Sequence, residues 1–297
     1  MRRYVVLILL SIIINVRADS FLINGANIDI EFVTIGNAGN AADLNSVYNW
    51  SNYTSDPIAP EAFTGVGRVD YVYRIAKYEN GFLGQKSGSW YDAARFVNDL
   101  NVSKGFQAAY KFNSNDQFVL WGIGEYTGSN QYRNKDAVYF LPSIDEFYKA
   151  AYYDPQKNNG AGGYWKYATA SDSTPLPTSG GTDPYTAVWQ SIDRVDVKNA
   201  GGLSAYGTMA QNGNYSEWIE TAFDGTNDIS SEIRNLTSGN WSNVHDGMGK
   251  DNRDVHNPAV WDSMYINFRV ASLPEPSALS LLAVGLGGLA MMRRRRS

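Results

Sequence analysis

The sequence predicts a loop-rich α+β domain with two helices in its first half. Three observations carry this reading. Two early segments are built like strands. Two later ones carry capped, amphipathic helix patterns. Beyond residue 155, Gly, Asn and Ser interrupt the chain so often that no long element fits.

The first strand is read from Ile28, Ile30 and Phe32, which alternate with Asp29 and Glu31. An apolar residue at every second position lays one face on a core. The second covers residues 69–78, VDYVYRIAKY, where β-branched and aromatic side chains favour extended chain. The first helix is expected over residues 89–100. Ser89 caps it, Asp92 completes a capping box, and Trp90, Ala93, Val97 and Leu100 share one face. The second helix is expected to follow Ser143, with Glu146 closing the box and Ile144, Phe147, Ala150 and Ala151 as its buried stripe. The Ser-, Thr-, Pro- and Gly-rich stretch 171–182 reads as a loop. No repeat and no charge block divides residues 19–272, which therefore form one domain, large for a single core.

Composition narrows the chemistry. The chain has 297 residues, 43% of them hydrophobic and 13% aromatic, enough for a packed core. It contains no cysteine, which excludes disulfides, thiolate metal sites, thiol nucleophiles and iron–sulfur clusters. Its two histidines, His245 and His256, lie near Asp246, Asp251 and Asp254, but their spacing matches no usual ligand pattern. A formal charge of −5 disfavours nucleic acid as a partner. GxSxG, Walker and HExxH motifs are absent, and 30 acidic residues single out no glycosidase pair.

The two ends read as export and sorting signals. Residues 1–18 have the plan of a signal peptide: Arg2 and Arg3, an apolar run from Tyr4 to Ile14, and a cut expected after Ala18. Residues 273–297 place Pro274, Glu275 and Pro276 before an apolar run from Ala278 to Met292. Arg293, Arg294, Arg295 and Arg296 close it. Arginines after an apolar run hold it in a membrane under the positive-inside rule. The run is short of the roughly 20 residues of a permanent span, so the anchor is expected to be transient. This tail closely resembles the PEP-CTERM sorting signal of Gram-negative bacteria. The resemblance implies cleavage by an exosortase-type membrane protease, release to the cell envelope or extracellular matrix, and an association with exopolysaccharide. The ends carry seven basic residues and one acidic one, so the remaining body stands at −11.

Four segments of the body, in order, resemble the formylglycine-generating-enzyme (sulfatase-modifying-factor) family. They are SWYDAARF at 89–96, LPSIDEFYKAA at 141–151, GNYSEW at 213–218 and NFRVA at 267–271. The resemblance implies that family's variant of the C-type-lectin fold. It also exposes a loss. The family's copper-dependent members oxidise a substrate cysteine with two of their own, which follow an RGGS[WY] motif. The counterpart here is RNLTSGNW at 234–241, after which Asn243 and Met248 occupy the cysteine positions. A thiolate is both ligand and nucleophile in that chemistry, so cysteine-dependent formylglycine generation is excluded and copper is not expected. A second branch of the family uses non-haem iron held largely by a separate His-rich helical domain, which this chain lacks.

The resemblance further implies a structural calcium, with Gly213 and Tyr215 offering carbonyls and Glu217 a side-chain oxygen. A further family ligand falls on Ala210, which has no oxygen to give, and Asn212 is the nearest substitute. The competing reading pairs Glu217 with an arginine. Arg269, in the closing segment, is expected to anchor a buried carboxylate. Trp241, Asn243 and Arg269 are the candidate cleft, and Trp218, Trp261 and Tyr265 are the other aromatics that could line one, with core packing the better reading for Trp218. The function that follows is a non-catalytic, exported surface protein that binds a glycan or a protein. The alternative is a metal-dependent oxygenase of the same broad family with altered chemistry.

Overall fold

The computed structural model describes residues 16–46, 65–80, 88–242, 248–251, 254–259 and 266–274. An antiparallel hairpin of β1 (Val16–Ile23) and β2 (Ala26–Ile35) opens the chain and turns at Asn24 and Gly25, both with positive φ. Ile30, Phe32, Val33 and Ile35 of β2 are buried, while Asp29 stays outside, as the alternation requires. The hairpin continues into β3 (Tyr73–Ala76), β15 (Ala271–Ser272) and β6 (Tyr139–Phe140), forming an antiparallel five-stranded sheet in the order β1-β2-β3-β15-β6.

A second sheet has the order β13-β12-β11-β14: β13 (Asp254–His256), β12 (Arg234–Thr237), β11 (Ser216–Ala222) and β14 (Ile266–Phe268). Its pairs are antiparallel except β11 with β14. Three two-stranded ribbons complete the strands: β4 (Lys111–Phe112) with β5 (Phe118–Val119), β7 (Tyr153–Asp154) with β8 (Gly163–Tyr164), and β9 (Leu176–Pro177) with β10 (Thr186–Ala187). The architecture is α+β and loop-rich.

Both expected helices form. Ser89 and Ser143 each accept a bond from the backbone N–H three residues on, and the third-residue carboxylates of Asp92 and Glu146 answer to the cap backbone. Helix α1 (Trp90–Ser103) buries Trp90, Ala93, Val97 and Leu100 and packs on β1 and β6. Helix α2 (Ile144–Tyr152) buries its expected stripe and more, since Glu146 and Lys149 are buried too. A single turn, α3 (Lys157–Gly160), follows.

Three features depart from the sequence reading. The second strand is only four residues long: all of Tyr73–Ala76 is buried, while Asp70, Tyr71 and Val72 before it are exposed. Val16, Arg17 and Ala18, read as the end of the signal, pair with Val33, Phe32 and Glu31 and are exposed. Most telling is β11: all seven of its residues are buried although two are glutamates. The apolar segment 278–292 lies outside the described residues. Among those residues no helix is long and apolar enough to cross a membrane.

Candidate functional site

β11 is the hub on which the four recognisable segments meet. The Trp90 indole donates to the Ile219 carbonyl (2.9 Å), and the Trp218 indole returns to the Gly88 carbonyl (3.1 Å). The Ile144 N–H at the start of α2 donates to the Thr221 hydroxyl (2.9 Å), and the Glu220 N–H to the Pro142 carbonyl (2.9 Å). A strand buried on both faces can carry charge only where every charge is met. Glu217 and Glu220 are met by arginines from other elements.

Arg269 is fully buried and clamps Glu217 with two bonds, Nε to Oε2 (3.0 Å) and Nη2 to Oε1 (2.9 Å). Its remaining donors go to the carbonyls of Ala76 and Met209, each at 2.8 Å. Ser238 also donates to Glu217 Oε1 (3.5 Å). A second buried carboxylate, Glu79, accepts from the Asn214 side chain (3.0 Å) and the Tyr215 N–H (3.3 Å). Burial pushes both carboxyls up. Glu79 goes well above the usual range because the Glu217 charge adds to its desolvation, whereas Arg269 pulls Glu217 back. The trio holds one arginine, the carboxyl paired with it, and a second carboxyl that burial and its neighbour's charge push towards its protonated form.

Arg133 forms the second junction. It grips Glu220 through Nε (2.8 Å) and Nη2 (2.7 Å), and Glu146 through Nη1 (3.2 Å) and Nη2 (3.0 Å). Tyr110 and Asn130 add donors to Glu220, and Tyr71 adds one to Glu146 at 2.5 Å. Burial works against ionising Glu146, but the Arg133 charge and these bonds outweigh it and hold its carboxyl low. Arg234, also fully buried, faces Tyr132 (4.1 Å), Trp90 (4.6 Å) and Phe118 (5.7 Å). It donates to the carbonyls of Glu232 and Ser230. No carboxylate among the described residues forms a salt bridge with it.

These contacts locate the residues expected from the sequence. Arg269 belongs to the core as the partner of Glu217, not to the wall of an open cleft. Both Glu217 oxygens are engaged by Arg269 and Ser238. Asn212, the substitute calcium ligand, accepts from the Ala168 N–H and donates to the Met248 carbonyl. A cation in this loop would therefore find mainly the carbonyls of Gly213 and Tyr215. Trp241 is half-buried and packs on Val188, Ala200, Met209 and Ala210. His256 sits in β13, its ring edge-on to Trp218 at 6.4 Å. Pro274 is exposed at the end of the described chain. Asn243, His245, Asp246, Trp261, Tyr265, Glu275, Pro276 and Arg293, Arg294, Arg295 and Arg296 lie outside the described residues.

The structure adds three features not anticipated from the sequence. Asp224, Asp228 and Glu232 offer carboxylate oxygens within 4.8 Å of one another, on a largely exposed loop. Burial and the Asp224 charge push Glu232 up to about 7. An open cleft of about 430 Å³ lies between the 41–45 segment and the β7–β8 ribbon, where Asp43 pairs with Lys250 and accepts from Tyr148 (2.7 Å). Another, of about 450 Å³, lies between the start of α1, β5 and the loop at Ser230 and Ser231. Each joins segments far apart in sequence, so no local motif marks it.

No protein-family model matches the chain, and no curated protein sequence matches it significantly. Among solved structures it is similar to Treponema denticola variable protein 1, with a TM-score of 0.55 at 17% identity. The match covers 86% of this chain and 99% of that one. CarF matches with a TM-score of 0.49 at 20% identity, over 83% of this chain and 99% of that one. PvdO from Pseudomonas aeruginosa gives 0.41 at 13%, over 82% and 95%. The similarity to the Treponema protein is one of fold.

Proposed function

We propose that this chain is an exported, non-catalytic surface protein of Gram-negative bacteria whose body is a sulfatase-modifying-factor-like variant of the C-type-lectin fold, and that it binds a glycan. One observation carries the reading. Glu217 and Arg269, from two of the recognisable segments, are paired with each other inside the core, and Glu146 of a third is held there by Arg133, where they hold the fold, while open clefts lined by aromatic and polar side chains remain on the surface. The terminal signals support export, processing of the tail by an exosortase-type protease, and a final place in the envelope or matrix.

The test has three parts. Cell fractionation should find the protein in the envelope or medium, with its mass lacking both ends. A glycan array should report binding by the purified protein. Metal analysis should find neither iron nor copper in stoichiometric amount; either one would favour the oxygenase reading instead. An intracellular location together with an empty array would refute the proposal.

A further inference from the structure

We infer that the cleft between the start of α1, β5 and the Ser230–Ser231 loop is a subsite for a neutral carbohydrate, with the Tyr91 ring as its platform and Gln117, Ser230 and Ser231 as its polar contacts. The inference rests on the proposed glycan-binding function and names the place and the ligand class.

The cleft is open and measures about 450 Å³, within the range of small-ligand sites. Its floor is aromatic. Tyr91 lies 6.1 Å from Phe118 at a tilt of 35°. The Trp90 ring meets Tyr91 edge-on at 5.8 Å, and its indole is itself fixed to the Ile219 carbonyl. The platform is therefore set before any ligand arrives, which lowers the ordering cost of binding. The Tyr91 hydroxyl makes no hydrogen bond to another described residue, and burial raises the pKa of this half-buried phenol. It is a donor and acceptor in want of a partner.

Charge decides the ligand class. Among the described residues, the one charged residue lining the cleft is Asp116, which Arg95 holds through Nε (3.2 Å) and Nη2 (2.9 Å). Arg234 lies behind Phe118, fully buried, with its Nη groups on carbonyls. Among the described residues lining the cleft, no free cation is offered to a phosphate or carboxylate, and no free anion to an ammonium. What remains is an apolar ring face beside neutral donors and acceptors. A sugar ring has the matching surface, C–H groups on one face and hydroxyls around the edge. The other cleft is the poorer candidate. Its Asp43 and Lys250 neutralise each other, and the Tyr164 hydroxyl is tied to the carbonyls of Ala41 and Gly67 and to the Asn40 amide.

The experiment titrates the purified full-length protein, observed by saturation-transfer NMR, with maltose, cellobiose, lactose and diacetylchitobiose, and in parallel with digalacturonate and a heparin disaccharide. At least one neutral disaccharide should bind. Tyr91→Ala should then weaken it by about tenfold or more, the loss of one aromatic stacking contact and its hydrogen bond. Gln117→Ala and Ser231→Ala, at exposed positions, should each weaken it by a few fold with an unchanged melting temperature. They keep the test valid should Tyr91→Ala fold poorly. Leu44→Ala in the other cleft should leave binding unchanged. Neutral-sugar binding that survives all three cleft variants would overturn the inference and leave the glycan-binding function standing. Binding of the acidic sugars alone would overturn the ligand class. Binding of none would overturn both readings.

Discussion

Arg269 and its two carboxylates allow a prediction with an internal control. Replacing Arg269 by Met removes a fully buried guanidinium that bonds Glu217 twice and serves two carbonyls. Breaking a buried pair from one side costs about 3–5 kcal/mol. A domain of this size loses roughly 2–4 °C of melting temperature per kcal/mol. Arg269→Met should therefore lower the midpoint by about 6–20 °C on those same scales. Glu217→Gln should cost far less, about 1–2 kcal/mol for weakened bonds. The reason lies in Glu79: its carboxyl is raised by burial and by the Glu217 charge, so removing that charge lets Glu79 ionise and balance Arg269. Glu79→Gln alone should be close to neutral at low pH. A carboxyl whose pKa is raised on folding binds its proton more tightly in the folded state. Wild-type stability therefore falls as pH rises from the unfolded value towards the folded one. Glu79→Gln should flatten that fall and be the more stable protein at alkaline pH. The double variant Glu79→Gln/Glu217→Gln leaves Arg269 without a counter-ion and should cost more than the sum of the singles, by about 1–3 kcal/mol. Thermal melts and urea unfolding followed by tryptophan fluorescence at several pH values measure all of these. Additive singles, or an Arg269→Met protein melting within a degree or two of wild type, would refute the shared-charge account.

Three further predictions follow from local geometry. Gly213→Ala should unfold or misfold the protein: φ is +87°, and a Cβ there would sit 2.2 Å from the Val188 carbonyl oxygen, backbone that cannot yield. Soluble yield and circular dichroism report it, and a well-folded variant would contradict the close approach. Ser143→Ala removes the α2 cap and should cost about 1 kcal/mol, read as a shift in urea midpoint at constant slope. Glu232 should titrate near 7 by carboxyl NMR, and Asp224→Asn should move it down. Because this pKa is raised, its stabilising contribution is complete at acid pH and fades as pH climbs through 7, with a small amplitude at so solvated a group.

The parts of this fold that were legible in the sequence are those governed by short-range rules. A capping box needs four residues, and an amphipathic stripe about twelve; both helices satisfy those rules and form where the rules place them. β11 obeys no such rule. The segment SEWIETA has two glutamates in seven residues, and by pattern alone it is half-solvated. It is buried because Arg269 reaches Glu217 from 52 residues away and Arg133 reaches Glu220 from 87 away. Composition cannot reveal that pairing; only the third dimension supplies it. Arg269 was readable as an anchor for a carboxylate, yet its partner is fixed only where the fold brings the two segments side by side. The cleft beside Tyr91 was illegible for the same reason. Tyr91 follows a helix cap, Phe118 sits in a two-residue strand, and Ser231 lies on a loop, so no window of sequence holds more than one wall.

The same core closes tightly around Met248. Met248, which the sequence resemblance aligns with a cysteine, is fully buried with Ala187 and Trp189. Its sulfur lies 3.5 Å from where a Cβ of Gly213 would be. A thioether there fills space in the core, a packing role that depends on shape and not on redox chemistry. The ion pairs of β11 lie in that core as well, so they are held by the stability of the domain whether or not anything binds. Gln117 and Ser231 are exposed and stand outside that ion-pair network, whereas Tyr91 also packs on Trp90 and Phe118. On the proposed reading, ligand recognition at Gln117 and Ser231 is carried by residues other than those that hold the fold. Substitutions at Gln117 and Ser231 should therefore leave the fold largely unchanged, while a single change at Arg269 acts on the whole domain.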